Sequence, residues 1–319
     1  MGTRINLHTG KAVSERVERP VALLLGAGYT ARALAPVLTA LGYSCVGTTR
    51  TPAEVKALEA NNIAPIVSQS LASSEISDCF EKAEIIISSI PPCKSPDANG
   101  VYDPVVAQFG SLRPRAKWLA YLSATSVYGD RQGLWAFEGE PANPQLKRGK
   151  ARAEAELEWL ETLWPVHIFR LAGLYGQGRA PFSKLKSGTA RAVIKDGHVV
   201  NRIYIDDCVS AIIASISRPN PQRIYNIADG HPAPPQDVLD YAAKLIGVDS
   251  PPRVGLEDET VSDMARTFYS ETKRIDISRA KLELSWMPKY TDYKAGLRAI
   301  LEPCTQSHDN KVPEQNIDI

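Results

Sequence analysis

The first half of the chain alternates short apolar runs with segments whose apolar residues recur at helical spacing. Residues 21–25, 44–49, 63–67, 84–90, 117–122 and 166–171 predict strands, and their aliphatic content is typical of a parallel sheet covered on both faces. Between the first two runs, the spacing predicts a helix from Tyr29 that ends at Gly42, and residues 52–60 predict another helix. This alternation predicts an α/β fold, namely a Rossmann-type doubly wound parallel sheet.

The alternation of predicted strands and helices becomes less regular after residue 130. A loop over residues 139–144 precedes a long helix, whose apolar face we predict to be Ala153, Leu157, Leu160 and Trp164. From Gly173 onward glycine and proline become frequent, which indicates a smaller mixed C-terminal lobe. We therefore predict an N-terminal extension over residues 1–20, an NAD(P)-binding Rossmann domain over 21–172, a substrate lobe over 173–302 that is interleaved with the sheet, and a flexible polar tail over 303–319.

Composition narrows the function classes. The 319 residues are 44% hydrophobic, so the chain can bury a large core, and a net charge of +1 argues against a nucleic-acid partner. The five cysteines are scattered without CxxC spacing, which argues against a disulfide scaffold and predicts no metal site. The apolar run near the start is too short to span a membrane, and the first twenty residues do not resemble a signal peptide. We therefore expect a cytoplasmic protein with no membrane partner.

A glycine-rich turn is the strongest motif. Residues 26–31 read Gly-Ala-Gly-Tyr-Thr-Ala, follow a predicted strand and open a predicted helix, which is the context of a dinucleotide fingerprint. Gly26 allows the tight turn, Gly28 lets a pyrophosphate approach the backbone, and Ala31 lets the helix pack closely on the strand. The helix N-terminus, with Tyr29 and Thr30, offers free N–H groups to the phosphates. The alternative is a turn that only connects strand and helix.

The end of the second predicted strand bears on the choice of cofactor. An NAD-binding protein typically has an acidic residue here to hold the adenosine ribose, but residues 47–50 read Gly-Thr-Thr-Arg. The guanidinium of Arg50 and the hydroxyls of Thr48 and Thr49 suit a 2′-phosphate. We therefore predict NADP as the cofactor, with NAD as the alternative, and a solvated surface arginine as the plainer interpretation of Arg50.

Five segments in order carry a resemblance to a known family. Residues 122–129 (LSATSVYG), 169–176 (FRLAGLYG), 202–207 (RIYIDD), 225–229 (YNIAD) and 284–288 (LSWMP) resemble motifs of the extended or atypical short-chain dehydrogenases/reductases, of the NAD(P)-dependent sugar epimerase/dehydratase type. Two segments depart from the family pattern, because no proline follows Arg170 and Tyr204 stands in place of a histidine. The resemblance implies that Ser89, Ile90 and Pro91, after the fourth strand, border the cofactor, although a simple strand stop is an alternative.

The catalytic positions that the resemblance implies are only partly filled. The family uses a Tyr-x-x-x-Lys pair on the long helix and a Ser or Thr at the end of the fifth strand. Lys150, followed four residues later by Glu154, matches the lysine, which would hydrogen-bond the nicotinamide ribose. The tyrosine position holds Leu146 and the serine position holds Ala124, and neither side chain can move a proton.

Several residues are candidates for the missing polar groups. Ser123 and Thr125 flank the empty serine position, but neighbouring side chains on a strand point to opposite faces, so only a local bend would bring one into the site. Tyr128, Tyr175, Lys147 or a water are candidates for the proton donor. The plainer interpretation of Lys150 is a solvated residue in the basic run over residues 147–152.

Two function classes remain open. The first is an NADP-preferring oxidoreductase of the epimerase/dehydratase class, acting on a nucleotide-sugar or small carbonyl substrate with degenerate Ser and Tyr positions. The second is a non-catalytic NADP(H)-binding sensor or regulatory protein. The resemblance also implies a homodimer formed by paired helices, for which the long helix after Gly149 is a candidate. Asp206 and Asp207 are predicted to cap a helix over residues 209–216, and Arg202 is either a substrate-phosphate ligand or a salt-bridged surface residue.

Overall fold

The computed structural model describes residues 19–93, 95–97 and 100–302. The predicted N-terminal extension, apart from residues 19 and 20, and the predicted tail lie outside the described residues. The strands are β1 (Val21–Leu25), β2 (Ser44–Thr49), β3 (Ile63–Val67), β4 (Ile85–Ser88), β5 (Trp118–Ala124), β6 (Trp135–Ala136), β7 (Val166–Leu171), β8 (Gly173–Tyr175), β9 (Ala192–Val193), β10 (Arg202–Tyr204), β11 (Arg223–Ile227), β12 (Arg253–Val254) and β13 (Arg274–Ile275).

The helices lie between and after these strands. They are α1 (Tyr29–Ala40), α2 (Val55–Glu59), α3 (Ser74–Lys82), α4 (Pro104–Phe109), α5 (Lys147–Glu161), α6 (Phe182–Lys186), α7 (Ile205–Ser217), α8 (Pro235–Ile246), α9 (Asp263–Tyr269), α10 (Ser278–Leu284) and α11 (Tyr293–Leu301). Two short 3-10 segments, Pro52–Glu54 and Thr125–Tyr128, precede α2 and follow β5. The helix predicted over residues 52–60 is therefore 3-10 in its first turn.

Seven strands form one parallel sheet in the order β11-β7-β5-β4-β1-β2-β3. The prediction of a Rossmann-type doubly wound sheet is confirmed. The order reverses between β1 and β4, and doubly wound folds bind ligands beyond the carboxyl ends of the strands at such a reversal. Gly26 directly follows β1 and Ser89 directly follows β4, so the glycine turn stands at this point.

Both faces of the sheet are covered by helices. On β1, Ala22 and Leu24 join a core cluster with α1 and α7, whereas Leu23 and Leu25 join a second cluster with α3, α4 and α5. All four side chains are at most 1% exposed. Successive residues of a strand point to opposite faces, which explains why β1 is aliphatic at every position.

The long helix buries a different face from the one predicted. α5 ends at Glu161, so Trp164 follows the helix, and Leu157 is 56% exposed. The buried face includes Ala155, Glu156 and Trp159. The prediction was wrong for Leu157 and for the end of the helix, whereas Ala153 and Leu160 are partly buried against the core. It also omitted Glu156, which is held inside by an ion pair with Arg170.

The C-terminal part of the chain also contributes to the sheet. β11 pairs in parallel with β7, with Asn226 opposite Arg170, and α7 packs beside α1. The remaining elements form a lobe with three small parallel pairs, β8 with β10, β9 with β12 and β6 with β13. β11 thus joins the main sheet although β8, β9 and β10, which precede it in the chain, belong to these smaller pairs.

The two aspartates of the RIYIDD segment do not cap a helix. α7 begins at Ile205, so Asp206 and Asp207 lie in its first turn rather than before it. The Asp207 carboxylate accepts hydrogen bonds from the backbone N–H groups of Lys289 (2.7 Å) and Tyr290 (2.9 Å). Its role is to join α7 to the segment before α11, which the local sequence does not reveal because the partners lie more than eighty residues away.

Candidate functional site

The glycine turn is held by hydrogen bonds from two neighbouring strands. Gly26 has a φ of +78°, a conformation that favours glycine. Its N–H donates to the Thr48 hydroxyl (2.9 Å), and its carbonyl accepts from the Ser89 hydroxyl (2.5 Å). A side chain at residue 26 would also approach Ile90 to 3.0 Å. The turn is therefore fixed by the ends of β2 and β4 before any ligand arrives.

Gly28 lacks a side chain for a different reason. Its φ is −87°, which other residues adopt, and a Cβ atom there would have no described neighbour closer than 3.9 Å. Packing within the protein does not require glycine at this position. Gly28 precedes α1, whose N-terminus has no side-chain cap and no acidic residue in its first turn. Bare N–H groups at a helix N-terminus favour an anion.

A cleft of about 980 Å³ opens beside this turn. Seven of the predicted cofactor residues line it, namely Gly26, Gly28, Thr49, Arg50, Ser89, Ile90 and Pro91. Four others do not line it, namely Tyr29, Thr30, Ala31 and Lys150. Thr30 and Ala31 are buried, and the Tyr29 hydroxyl instead donates to the carbonyl of Gln177 (3.1 Å) in the lobe, with Arg179 over its ring. Tyr29 therefore ties the turn to the lobe.

The charged groups of the cleft lie near the end of β2. Arg32, on α1, forms an ion pair with Glu54, and both line the cleft together with the exposed Arg50. The Thr48 hydroxyl oxygen accepts from the Gly26 N–H, which fixes this side chain against the turn, while its O–H remains available as a donor. The sequence analysis missed Arg32 and Glu54. Their positions could have indicated a role in the site. Arg32 lies one turn into α1 and Glu54 lies just after β2, both on the side where the cleft opens.

Two predicted catalytic residues lie in a buried polar network. The Ser123 hydroxyl donates to Glu156, which also forms the ion pair with Arg170 (2.7 Å). The Arg170 guanidinium lies over the Tyr128 ring, 4.7 Å from its centre, and the Tyr128 hydroxyl donates to Asn226 (2.8 Å). Burial raises the pKa of Tyr128. Ser123 is 3% exposed and Tyr128 is fully buried, and neither lines the cleft.

The other two predicted catalytic residues, Thr125 and Lys150, and the two empty catalytic positions lie nearer the surface. Ala124 ends β5 and is half-buried, and Thr125 begins the 3-10 segment that follows it. Leu146 is the residue before α5, and Lys150 is exposed on its first turn. Lys150 does not line the cleft, so the structure brings the glycine turn and Arg50 together but leaves Lys150 apart from them. Tyr175, a further candidate, is 8% exposed, and burial raises its pKa.

A second, smaller cavity lies beyond the carboxyl end of β5. We call it the lobe crevice, and it has a volume of about 120 Å³. Thr125, Ser126 and Arg148 line one side, and the lobe residues His198, Glu271 and Lys273 line another. Arg202 lies nearby and forms no ion pair with a described residue, and its guanidinium donates to the carbonyls of Val200 (2.9 Å) and Ala233 (3.1 Å).

The sheet order and the glycine turn define a Rossmann-type α/β protein. Within the described ranges, no helix is both long and apolar enough to cross a membrane. No protein-family profile matches the chain. The chain is 31% identical over 239 residues to protein YeeZ of Escherichia coli K12, which covers 72% of this chain and 84% of YeeZ.

Solved structures extend this similarity. A functionally unknown conserved protein from Silicibacter pomeroyi is 39% identical, with a TM-score of 0.81 over 88% of this chain and 98% of that one. The UDP-glucuronic acid 4-epimerase from Bacillus cereus, in complex with NAD, shares the fold at 17% identity and a TM-score of 0.68, over 88% of this chain and 96% of that one. The dTDP-glucose 4,6-dehydratase from Bacillus anthracis, in complex with NAD, shares it at 18% identity and a TM-score of 0.67, over 88% and 95%. The chain belongs to the family of protein YeeZ, and it has the fold of the NAD-bound sugar epimerases and dehydratases.

Proposed function

We propose that the chain is an NAD(P)-dependent oxidoreductase that prefers NADP and acts in the cytoplasm on a small carbonyl or nucleotide-sugar substrate. The observation that carries this proposal is the open space over Gly28, beside a cleft of about 980 Å³ at the reversal of the strand order. The described cysteines are free, which suits a reducing compartment. Two structural neighbours were solved with NAD, which supports a nicotinamide dinucleotide here.

The residues present fit a dinucleotide. Gly28 and the uncapped N-terminus of α1 would receive the pyrophosphate, and Ser89, Ile90 and Pro91 would border the nicotinamide side. The cofactor supplies hydride transfer when it is bound. What the chain contributes is the rigid turn, which Thr48 and Ser89 hold in place through their hydrogen bonds to Gly26.

The preference for NADP rests on the charges at the end of β2. Glu54 is the acidic residue of this region, and its ion pair with Arg32 offsets its charge. Arg50 is exposed and lines the cleft, so its guanidinium is available to a 2′-phosphate. NAD lacks that phosphate and gains nothing from Arg50.

Replacing Arg50 tests the preference. Arg50→Gln should weaken NADP⁺ binding by about 1.5–3 kcal/mol, because a hydrogen bond to a charged group is lost, and should leave NAD⁺ binding unchanged. Lys56→Gln is the matched control, since Lys56 is an exposed cation of the following helix that does not line the cleft. Calorimetric titration of both dinucleotides measures the effect. An equal loss of binding free energy for NADP⁺ and NAD⁺ would show that Arg50 does not bind the 2′-phosphate.

In this proposal, the proton donor is not the tyrosine of the family's Tyr-x-x-x-Lys pair. Ser123 and Tyr128 are assigned to the interior, because the partners of their hydroxyls are Glu156 and Asn226. Thr125 remains a candidate, since it begins a bend after β5 and lines the lobe crevice. Lys150 remains a candidate to hydrogen-bond the nicotinamide ribose, provided that its side chain turns toward the cleft when the cofactor is bound.

A non-catalytic NADP(H)-binding protein is the second candidate function. Ala124 and Leu146 favour it, because both positions lack a group that could polarise a carbonyl or donate a proton. NADPH oxidation against a panel of sugar nucleotides and small carbonyl compounds separates the two functions. Turnover that Lys150→Ala abolishes would exclude the binding protein. Activity that arises only in the double variant Leu146→Tyr with Ala124→Ser would exclude the enzyme.

The homodimer is a further part of this proposal. Leu157 on α5 and Leu163 just after it are 56% and 72% exposed, and a second copy of α5 would cover them. Sedimentation equilibrium at micromolar protein concentration should give the mass of two chains. A mass of one chain at that concentration would contradict the homodimer.

A further inference from the structure

The lobe crevice contains buried polar groups without hydrogen-bond partners. His198 is 3% exposed, lines the crevice, and neither of its ring nitrogens has a hydrogen-bond partner among the described residues. The Oε1 atom of Glu271 is also buried without a partner there. Native proteins rarely leave buried polar groups unsatisfied, because these groups lose their hydration without compensation. The pattern indicates that something polar binds in the crevice.

His198 is a neutral imidazole at physiological pH. Burial, with Lys195 and Arg202 nearby, lowers the pKa of His198 to about 4. A neutral imidazole offers one N–H donor and one acceptor nitrogen. Such a ring suits a hydroxyl or carbonyl oxygen of a ligand and does not itself supply a charge.

The charges of the crevice favour a single negative charge. Lys273 forms an ion pair with Glu271 (2.9 Å), so these two groups offset each other. Arg148 has no ion pair within the described ranges and leaves an excess positive charge. A guanidinium binds a planar carboxylate through two parallel hydrogen bonds. A phosphate dianion would bring a second negative charge close to Glu271.

The volume limits the size of the ligand. The crevice, at about 120 Å³, has about an eighth of the volume of the cleft at about 980 Å³, so it suits a ligand much smaller than a dinucleotide. Thr125 and Ser126 line the same space, and the residues that follow β5 and β7 bring the crevice to the carboxyl edge of the sheet.

We propose that the lobe crevice binds a small hydroxycarboxylate or its keto counterpart, with the carboxylate on Arg148 and the hydroxyl or carbonyl oxygen on His198. This inference deepens the proposed function by naming its substrate class, and it rests on that function only in calling the bound acid a substrate. Thr125 and Ser126 add hydroxyl donors to the carboxylate. The ligand oxygen would satisfy one of the two buried nitrogens of His198.

Calorimetric titration with L-lactate and D-lactate at low salt tests the binding. At least one enantiomer should bind in the millimolar range, and propane-1,2-diol, which lacks the carboxylate, should not. Arg148→Gln should weaken lactate binding by about tenfold or more, since a charged pair is lost, and His198→Asn by about fivefold or more. Lys186→Gln is the matched control, because this exposed cation of α6 in the lobe does not line the crevice, and it should bind lactate like the wild type.

Three results would overturn the inference. The first is that lactate does not bind, and the second is that inorganic phosphate binds more tightly than lactate. The third is that acetate and lactate bind with equal affinity, which would show that the crevice does not recognise the hydroxyl group. Arg148 is exposed, so its variant should remain folded, and urea unfolding checks this. NADP⁺ titrated into the same proteins separates the two proposals. NADP⁺ binding without lactate binding contradicts only the crevice, and lactate binding without NADP⁺ binding contradicts only the proposed function.

Discussion

Glu156 and Arg170 form an ion pair inside the protein, between α5 and β7. Their side chains are 3% and 5% exposed, and Ser123 donates a further hydrogen bond to the Glu156 carboxylate. Isolated buried charges are costly, so each residue depends on the other. Ser123 and Tyr128, which the sequence analysis proposed as catalytic residues, instead contact this buried pair, Ser123 through Glu156 and Tyr128 through Arg170.

Removing one partner should be strongly destabilising. Glu156→Gln leaves the Arg170 cation buried without a counter-charge, so the free energy of unfolding should fall by about 3–5 kcal/mol. Glu154→Gln is the matched control, because Glu154 is exposed on the same helix, and its effect should stay within about 0.5 kcal/mol. Urea unfolding measures both. A loss for Glu156→Gln as small as that for Glu154→Gln would contradict the interior role.

His167 makes stability depend on pH. Its ring is fully buried, with Nδ1 3.2 Å from the Leu119 carbonyl and Nε2 accepting from the Asn220 N–H. Burial lowers the pKa of His167 to about 4 from 6.5. Between these values the unfolded chain binds a proton that the folded chain does not, so stability falls as the pH falls through this window and is complete above it.

The difference between wild type and His167→Gln isolates this effect. The free energy of unfolding of the wild type should fall more steeply between pH 6.5 and pH 4, by up to about 1.4 kcal/mol per pH unit and about 3 kcal/mol in all. The comparison of slopes removes the contributions of other groups that titrate in both proteins. Urea unfolding at several pH values gives the slopes. Parallel curves for the two proteins would contradict the assignment.

β2 and the glycine turn are in contact through Gly47. A Cβ atom on Gly47 would lie 2.5 Å from the side chain of Ile63 and 2.8 Å from that of Ala27. The close approach of β2 to the turn therefore requires glycine at residue 47. The sequence analysis assigned a role to Gly26 and Gly28 and overlooked Gly47, which is a neighbour of the turn only in three dimensions.

Gly47→Ala should destabilise the fold and disturb the turn. Overpacking of this kind costs about 1–3 kcal/mol, and Ala27 lies inside the turn, so NADP⁺ binding should weaken as well. Gly255→Ala is the control, since no atom lies within 4 Å of a Cβ built at that exposed residue. Thermal unfolding and calorimetry measure the two effects. Unchanged stability in Gly47→Ala would show that β2 can move away without cost.

The elements that could be predicted are those with local signals. The six strands predicted between residues 21 and 171 and the helix from Tyr29 have aliphatic runs, helical spacing and terminal glycines, and all of them are present in the structure. The two-residue strands β6, β9, β12 and β13 could not be predicted, because their pairing joins segments about 60 to 140 residues apart and the strands carry too few residues for a pattern. The capping role predicted for Asp206 and Asp207 was wrong because α7 begins at Ile205, four residues earlier than predicted. The hydrogen-bond partners of Asp207 could not be predicted, since they lie more than eighty residues away.

The two candidate sites follow from the arrangement of the whole molecule. All seven main strands are parallel, so the residues that follow them meet at one edge of the sheet. The cleft lies beyond β1, β2 and β4, and the lobe crevice beyond β5. The glycine turn and Arg50 could be predicted because they follow directly from strand ends. His198, Glu271 and Lys273 could not, because only the folded lobe brings them to Thr125 and Arg148.

The cleft is the feature on which the account of function depends. Calorimetric titration of NADP⁺ into the wild type and Gly28→Ala, with urea unfolding of both proteins, tests it most directly. We predict micromolar binding to the wild type, binding to Gly28→Ala that is weaker by about tenfold or more, and unfolding free energies equal within about 0.5 kcal/mol, since a Cβ at residue 28 meets no protein atom closer than 3.9 Å. Failure of both NADP⁺ and NAD⁺ to bind the wild type at millimolar concentration, or undiminished binding to Gly28→Ala, would contradict the account.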